Sequence, residues 1–486
     1  MNVPRVALIT LGCARNEVDS EELAQRFDGA GFELVPGAAG ADVVVVNTCG
    51  FVESAKRESV ETLLAAAGTH GDAGRPKVVA VGCMAERYGI ELAEALPEAD
   101  AVLGFDDYPE IVARLRTVMA GGTVAAHVPR DRRTLLPLAP VDRAGGGAAV
   151  PGHGAAARPA RPAAQSVAVG AGEPWKRRLV STGPVAPLKI ASGCDRRCAF
   201  CAIPLFRGSL ISRSRADIVA EARWLAEQGV SEVVLVSENS TSYGKDHAEP
   251  RALERLLTEL AGVDGLERIR VSYLQPAEVR PSLLAAMLGT RKVADYFDLS
   301  FQHASAGLLR RMRRFGSSAE FLALIGQIRE SAPRAGIRSN VIVGFPGETE
   351  EDLAELIDFL GEAQMDAVGV FGYSQEEGTE AAGMSGALDE DEIRARVGEV
   401  ASLADEVMSQ RAEGRIGDPV DVLIDAVDGM HAEGRAEHQG PEDGTTRVRL
   451  SPGRGRHLGP GSVLRARVRS SEGVDLDASE ASDVLA

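Results

Sequence analysis

Six cysteines are the residues of this chain best suited to chemistry, and they fall into two sets of three: Cys13, Cys49 and Cys83, far apart in sequence, and the compact Cys194-x-x-x-Cys198-x-x-Cys201. In a large chain from a reducing compartment, disulfides are a poor explanation for an even count. Thiolates at the compact spacing bind zinc or an iron–sulfur cluster. A closed zinc site needs a fourth Cys or His close by, and none follows until His247. Three thiolates on a four-iron cluster leave one iron open to a small molecule.

The elements that must carry these cysteines are legible as apolar runs. Val6-Ala-Leu-Ile-Thr10, Val43-Val-Val-Val46 and Val78-Val-Ala-Val81 are continuous and β-branched, the pattern of buried parallel strands. Helical patterns over 16–31 and 51–67 lie between them, so residues 3–120 read as a doubly wound α/β sheet. Each dispersed cysteine stands just past a strand's C-terminal end: Leu11-Gly-Cys13, Asn47-Thr-Cys49-Gly50 and Val81-Gly-Cys83. Ligands of open α/β sheets collect there, so three remote thiolates can meet at one point.

Residues 121–179 read as a linker, because 145–162 is rich in Ala, Gly and Pro without apolar period. From 180 to 411 the βα alternation resumes. Strands are expected at 188–191, 233–236, 269–274, 296–301, 338–343 and 367–373, with helices including 217–228, 351–363 and 388–412. Six parallel strands imply a partial or full (β/α) barrel with its chemistry at the C-terminal strand ends. Residues 412–482 alternate with period two in Val420-Asp-Val-Leu-Ile-Asp, Thr446-Arg-Val-Arg-Leu and Ser462-Val-Leu-Arg-Ala-Arg-Val-Arg. That tail is expected to be a small antiparallel β-barrel.

Composition narrows the function classes. The 486 residues suggest about three domains. A net charge of −18 and 4% aromatics argue against a general nucleic-acid binder or an anionic-membrane binder. No run approaches the ~18 apolar residues of a membrane span, and the N-terminus has no signal-peptide pattern. The expectation is a cytoplasmic protein that does not engage membranes.

Cys194-Asp-Arg-Arg-Cys198-Ala-Phe200-Cys201 resembles the signature of radical S-adenosylmethionine (SAM) enzymes, including the aromatic residue before the last Cys. The upstream Cys13, Cys49, Cys83 set and the terminal barrel make the chain similar to the methylthiotransferases. Within that family it resembles the RimO type, which modifies an aspartate of the twelfth small-subunit ribosomal protein. The stretches carrying the resemblance are Gly12-Cys-Ala-Arg-Asn16-Glu-Val-Asp-Ser-Glu, Asn47-Thr-Cys-Gly-Phe-Val-Glu-Ser-Ala-Lys56, Gly193 to Pro204, Phe206-Arg207-Gly208, Gln302-His303-Ala304 and Gly344-Phe-Pro-Gly-Glu-Thr349. Two features depart from the pattern: the run Ser237-Glu238-Asn239-Ser240-Thr241 and the length of the linker.

The resemblance implies two 4Fe-4S clusters and SAM as cofactors. Cys194, Cys198 and Cys201 would hold the cluster that cleaves SAM, and Cys13, Cys49 and Cys83 an auxiliary cluster that presents sulfur. It also implies a TRAM barrel, a basic ribosomal protein as substrate and a flavodoxin- or ferredoxin-type electron donor. On the SAM side the expected residues are Phe200 against adenine, Arg207 and Arg213 on the carboxylate, and Glu238 on the ammonium. Gln302 and Gly344 join them, Gly344 as a turn that lets a ligand approach closely. Each has a structural alternative: core packing for Phe200, and exposed loop charges for Glu238, Arg207 and Arg213. His303 reads as a proton carrier or a hydrogen-bonded structural residue, Thr349 with Asp352 as a helix N-cap, and 310–314 as a solvated basic face. Two other functions stay open: methylthiolation of a tRNA adenosine, and a non-catalytic, zinc-stabilised RNA-binding protein. Residues 411–486 hold 10 Arg and no Lys against 14 Asp and Glu. That balance favours a basic protein substrate over tRNA.

Overall fold

A computed structural model of the chain describes residues 3–69, 74–133, 177–180, 182–451 and 458–481. The β-branched runs form the parallel strands Arg5–Thr10, Val43–Thr48 and Lys77–Gly82, neighbours at the centre of a five-stranded sheet edged by Glu33–Val35 and Ala101–Val102. Their valines are fully buried because the helices Ala14–Gly29, Glu53–Gly68, Cys83–Ala95 and Ile111–Met119 cover both faces. Such layering removes apolar surface at about 25 cal/mol per Å², which is why both faces of each strand are apolar.

The second unit is a partial barrel. Arg268–Val271, Glu232–Val236 and Val185–Lys189 form one parallel ladder, and Tyr296–Asp298, Gly336–Val343 and Ala367–Gly372 form another. The parallel bridge between Leu274 and Leu299 joins them into six consecutive strands. Among the described residues no ladder joins the first strand to the last. Thr349 caps Glu350–Ala363 through a reciprocal box with Asp352, as its spacing predicts.

The 24-residue helix Glu390–Glu413 leads into a closed five-stranded barrel. One correction applies to the expected pairing: Thr446–Arg449 and Asp475–Glu480 run parallel, while the other neighbours are antiparallel. This small barrel sits against the N-terminal ends of the large barrel's strands. Buried Arg268 donates to the carbonyls of Arg435 (2.9 Å) and Asp421 (2.8 Å), and Arg270 donates to that of Glu437 (2.8 Å). The small barrel therefore closes the floor and leaves the C-terminal strand ends free for chemistry.

The linker's ends are not loose. His127 is buried beside Glu86, and Arg132 pairs with Glu86 (2.6 Å) and Asp106 (2.8 Å) while its amide donates to the carbonyl of Leu205. Arg177 is buried between the first two units. The stretch 145–162, read as the flexible part, lies outside the described residues. No helix among the described residues is long and apolar enough to cross a membrane.

Two facing cysteine triads as the candidate active site

Three neighbouring strands deliver Cys13, Cys49 and Cys83 to one rim, because Thr10 pairs with Asn47 and Thr48 with Gly82. Gly12 has φ +89°, and a Cβ there would stand 2.9 Å from the Cys49 sulfur, so glycine keeps the space beside the thiols open. Cys13 is the N-cap of Ala14–Gly29 and Cys83 opens Cys83–Ala95, so two thiols face helix N-termini, which favour negative charge. Burial raises the Cys13 thiol, but Arg15, the Asn16 amide and Arg207 outweigh it and leave it lowered. Burial pushes Cys83 up to about 11 despite Arg207.

The second triad lies on the loop between Ala191–Ser192 and the short helix Ile203–Arg207. The loop is pinned: Cys194 donates its amide to the Gly208 carbonyl (3.0 Å), Ala199 to Met312 (3.0 Å), and Leu210 to the Asp195 carboxylate (3.0 Å). Burial pushes Cys194 up to about 11 and Cys201 up to about 12. None of the six cysteines is in a disulfide. Among the described residues no three Cys, His, Asp or Glu side chains stand close enough together for a single metal ion. Each triad is all thiol, the donor set that holds an iron–sulfur cluster, and the space kept open by Gly12 suits a bulky group.

Arg15 and Arg207 lie between the triads. Arg15 donates to the Ser237 carbonyl (2.8 Å), stands 3.5 Å from Glu238 and lies over the Tyr273 ring at 5.1 Å. Arg207 reaches Cys83, and its Nε is 3.7 Å from Glu238. The Glu238 side chain is 1% exposed, and neither carboxylate oxygen has a hydrogen-bond partner among the described residues. A cavity of about 470 Å³ runs from Cys13 and Tyr273 past Asp298 and Arg338 to Asp443 of the small barrel.

Sequence profiles match this organisation: residues 5–104 fit an uncharacterized protein family (UPF0004), 188–360 the Radical SAM superfamily and 416–479 the TRAM domain. The chain is 59% identical to the ribosomal protein uS12 methylthiotransferase RimO of Salinispora tropica, over 97% of this chain and 94% of that one. It is 60% identical to the RimO of Saccharopolyspora erythraea, again over 97% and 94%. The chain belongs to the RimO family. Among solved structures it is similar to the radical SAM methyltransferase TsrM from Kitasatospora setae, with a TM-score of 0.49 and 17% identity over 76% of this chain and 73% of that one.

Seen as a RimO-family site, the expected residues separate. Phe200 packs against the barrel core from the cluster loop, and Glu238 is buried rather than an exposed loop charge. Arg207 is taken up by Cys83, Asn16 and Asp19 of the N-terminal unit, because its short helix packs onto Cys83. Arg213 is paired with buried Glu221 (2.6 Å) and bonded to the Lys189 carbonyl (2.7 Å). Gly344 keeps φ +78°, but its close neighbour is a side chain: a Cβ would lie 2.6 Å from Ile393, while its amide donates to Glu348.

Gln302 lies beyond the end of Tyr296–Asp298, in an isolated bridge to Val341 with φ +73°, its amide and carbonyl held by Asn340 and Ile342. His303 is fully buried, accepts from the Ser305 amide (3.1 Å) and stands 3.6 Å from Glu348; burial lowers it to about 4, which keeps the imidazole neutral at pH 7. The 310–314 face is only partly solvated. Arg314 is buried, donates to the Ser300 carbonyl and stands 3.8 Å from the Cys198 sulfur. Sequence reasoning missed Arg15 and Tyr273, of which only Arg15 carried a signal, since it lies inside the Cys13 motif; Arg314 was placed on a solvated face instead.

Proposed function

We propose that this chain methylthiolates an aspartate side chain of ribosomal protein uS12 by radical SAM chemistry. The observation that carries this is identity of about 59% to RimO proteins across nearly the whole chain. The reaction uses two 4Fe-4S clusters and SAM, with Cys194, Cys198 and Cys201 around one cluster and Cys13, Cys49 and Cys83 around the other. When bound, the cluster that Cys194, Cys198 and Cys201 would hold would supply the electron for reductive cleavage of SAM. The target C–H bond is unactivated, beyond the reach of acid–base side chains, so the cofactor carries the hard step. The chain's part is to hold and orient. Glu238, whose oxygens make no hydrogen bond among the described residues although Oε1 faces Arg15 and Arg207, would accept the SAM ammonium; Phe200 would lie along its adenine; Arg15 neutralises charge between the triads.

Barrel charge bears less on substrate choice than the residue count suggests. Arg447, Arg449, Arg465, Arg467 and Arg469 occupy outward positions on the two strands flanking Asp475–Glu480. That side is arginine-rich although acids outnumber arginines over the whole tail, so phosphate binding there is not excluded by average charge. The deciding test is direct. Purified, reconstituted enzyme with SAM and reductant should add one methylthio group to a uS12 aspartate and leave tRNA adenosine unchanged, by mass spectrometry of both. Modified tRNA with untouched uS12 would reverse the choice. A colourless protein holding zinc and no iron would return the RNA-binding reading.

The electron donor is proposed to be an acidic carrier of flavodoxin or ferredoxin type in the cytoplasm. A cavity of about 360 Å³ opens at Cys198 and Cys201; of its arginines, Arg133 pairs with Asp131, Arg313 with Glu380 and Arg196 with Glu278, which leaves Arg197 as the cation there to meet an acidic carrier. Arg197 is exposed and makes no ion pair among the described residues. Opposite charges steer such encounters by roughly tenfold or more. Arg197→Glu should therefore slow cluster reduction by a reduced flavodoxin about tenfold, while reduction by dithionite keeps its rate. Equal slowing of both would place Arg197 in cluster binding instead.

A further inference from the structure

The short helix Ile203–Arg207 begins just past Cys201 of one triad and ends with a guanidinium in the other. The Arg207 side chain is 6% exposed. Its Nη2 donates towards the Cys83 sulfur at 3.2 Å, Asn16 Oδ1 at 3.0 Å and Asp19 Oδ2 at 3.0 Å. Its Nε faces Glu238 at 3.7 Å, and its plane lies 4.9 Å from the Phe105 ring. Asp19 is also held by Lys189 at 2.8 Å, so the carboxylate that competes with Cys83 for Arg207 is itself shared with a second cation. Cys83, Ala202 and Phe206 form one small core with Phe105, which fixes the helix against the N-terminal unit.

We propose that Arg207 is a positioning residue that sets the reduction potential of the cluster held by Cys13, Cys49 and Cys83, so that this cluster's electronics depend on docking of the radical SAM unit. The inference rests on that triad holding a cluster. The physical reason is charge. A cationic donor on a ligand sulfur offsets the negative charge added on reduction, and hydrogen bonds to sulfur together with net charge are what tune such clusters. In a buried site the effect is weakly screened. Among the described residues none of the N-terminal unit supplies this donor to Cys83: its side-chain partners are Arg207 and the side-chain amide oxygen of Asn16, an acceptor. The residue also ties the triads together, because a shift of the Cys201 loop moves the helix that carries the guanidinium.

The test is a redox titration of reconstituted enzyme followed by electron paramagnetic resonance, with the two clusters told apart by the change that SAM causes in one of them. Arg207→Gln should make the first-triad cluster harder to reduce by at least tenfold in the oxidised-to-reduced ratio, 59 mV for one electron, and leave the SAM-responsive cluster unmoved. Asp19→Asn, which removes a carboxylate drawing on the same nitrogen, should move the same potential upward. Arg207→Lys, which keeps the charge, should fall between wild type and Gln. Unchanged potentials in Arg207→Gln with iron retained, or equal shifts of both clusters, would overturn the proposal. If Arg207→Gln loses first-triad iron, Asp19→Asn decides, and an unmoved potential there overturns it. A wild-type protein with iron at only one triad would instead remove the two-cluster reading on which the proposal stands.

Discussion

Replacing Cys194, Cys198 and Cys201 together with Ala is expected to remove about half of the bound iron and abolish SAM cleavage. Replacing Cys13, Cys49 and Cys83 should remove a similar share of iron, leave SAM cleavage intact and abolish methylthio transfer. The triads lie on different sheets, one at the ends of three neighbouring strands and the other on a single pinned loop. Neither set of backbone bonds depends on the other's thiols. The losses should therefore be separable in iron and sulfide analysis, deoxyadenosine release and product mass. A folded triple variant that lost all its iron would mean one shared site, and the two-cluster reading would fail.

How much of this was legible in the sequence depended on distance along the chain. The strands before Cys13, Cys49 and Cys83 were visible because a buried parallel strand writes itself as a local β-branched run. The period-two tail and the cap at Thr349 are local as well. What could not be read were contacts between remote segments. Arg207 and Arg213 lie close in sequence and were given the same role, yet one turns into the N-terminal unit and the other onto Glu221. Glu238 follows a strand, like many exposed loop acids, and is buried only because Arg15 and Arg207 arrive from elsewhere to face it. The glycine at Gly344 was rightly tied to a tight turn, but the neighbour crowding it is Ile393 of a later helix. Local spacing carries no information about such partners.

Arg177, placed in a linker by composition, is expected to be among the most costly single residues to lose. Its side chain is 1% exposed, paired with Glu21 of the N-terminal unit at 2.8 Å and Glu221 of the radical SAM unit at 3.0 Å, and it donates to the Pro187 carbonyl. Arg177→Met removes the cation and leaves two buried carboxylates. Glu221 keeps Arg213, whereas among the described residues the Glu21 side chain keeps only the Val180 amide. Removing one partner of a buried pair costs about 3–5 kcal/mol. The pH dependence has a definite sign. Burial, outweighing Arg177, already pushes Glu21 up to about 7. An acid whose folded value lies above its unfolded value of about 4.3 stabilises the fold below that unfolded value, and the contribution is lost as pH rises through the folded one. Without Arg177 the folded value climbs further, so the variant should lose most stability near pH 8 and recover part of it near pH 5. Thermal unfolding at both pH values checks this. Adding Glu21→Gln should restore part of the loss near pH 8, because it removes the stranded charge rather than a contact. A loss under about 1 kcal/mol, the size of an exposed pair, or an equal loss at both pH values, would show that Arg177 does not bind the two units together in this way.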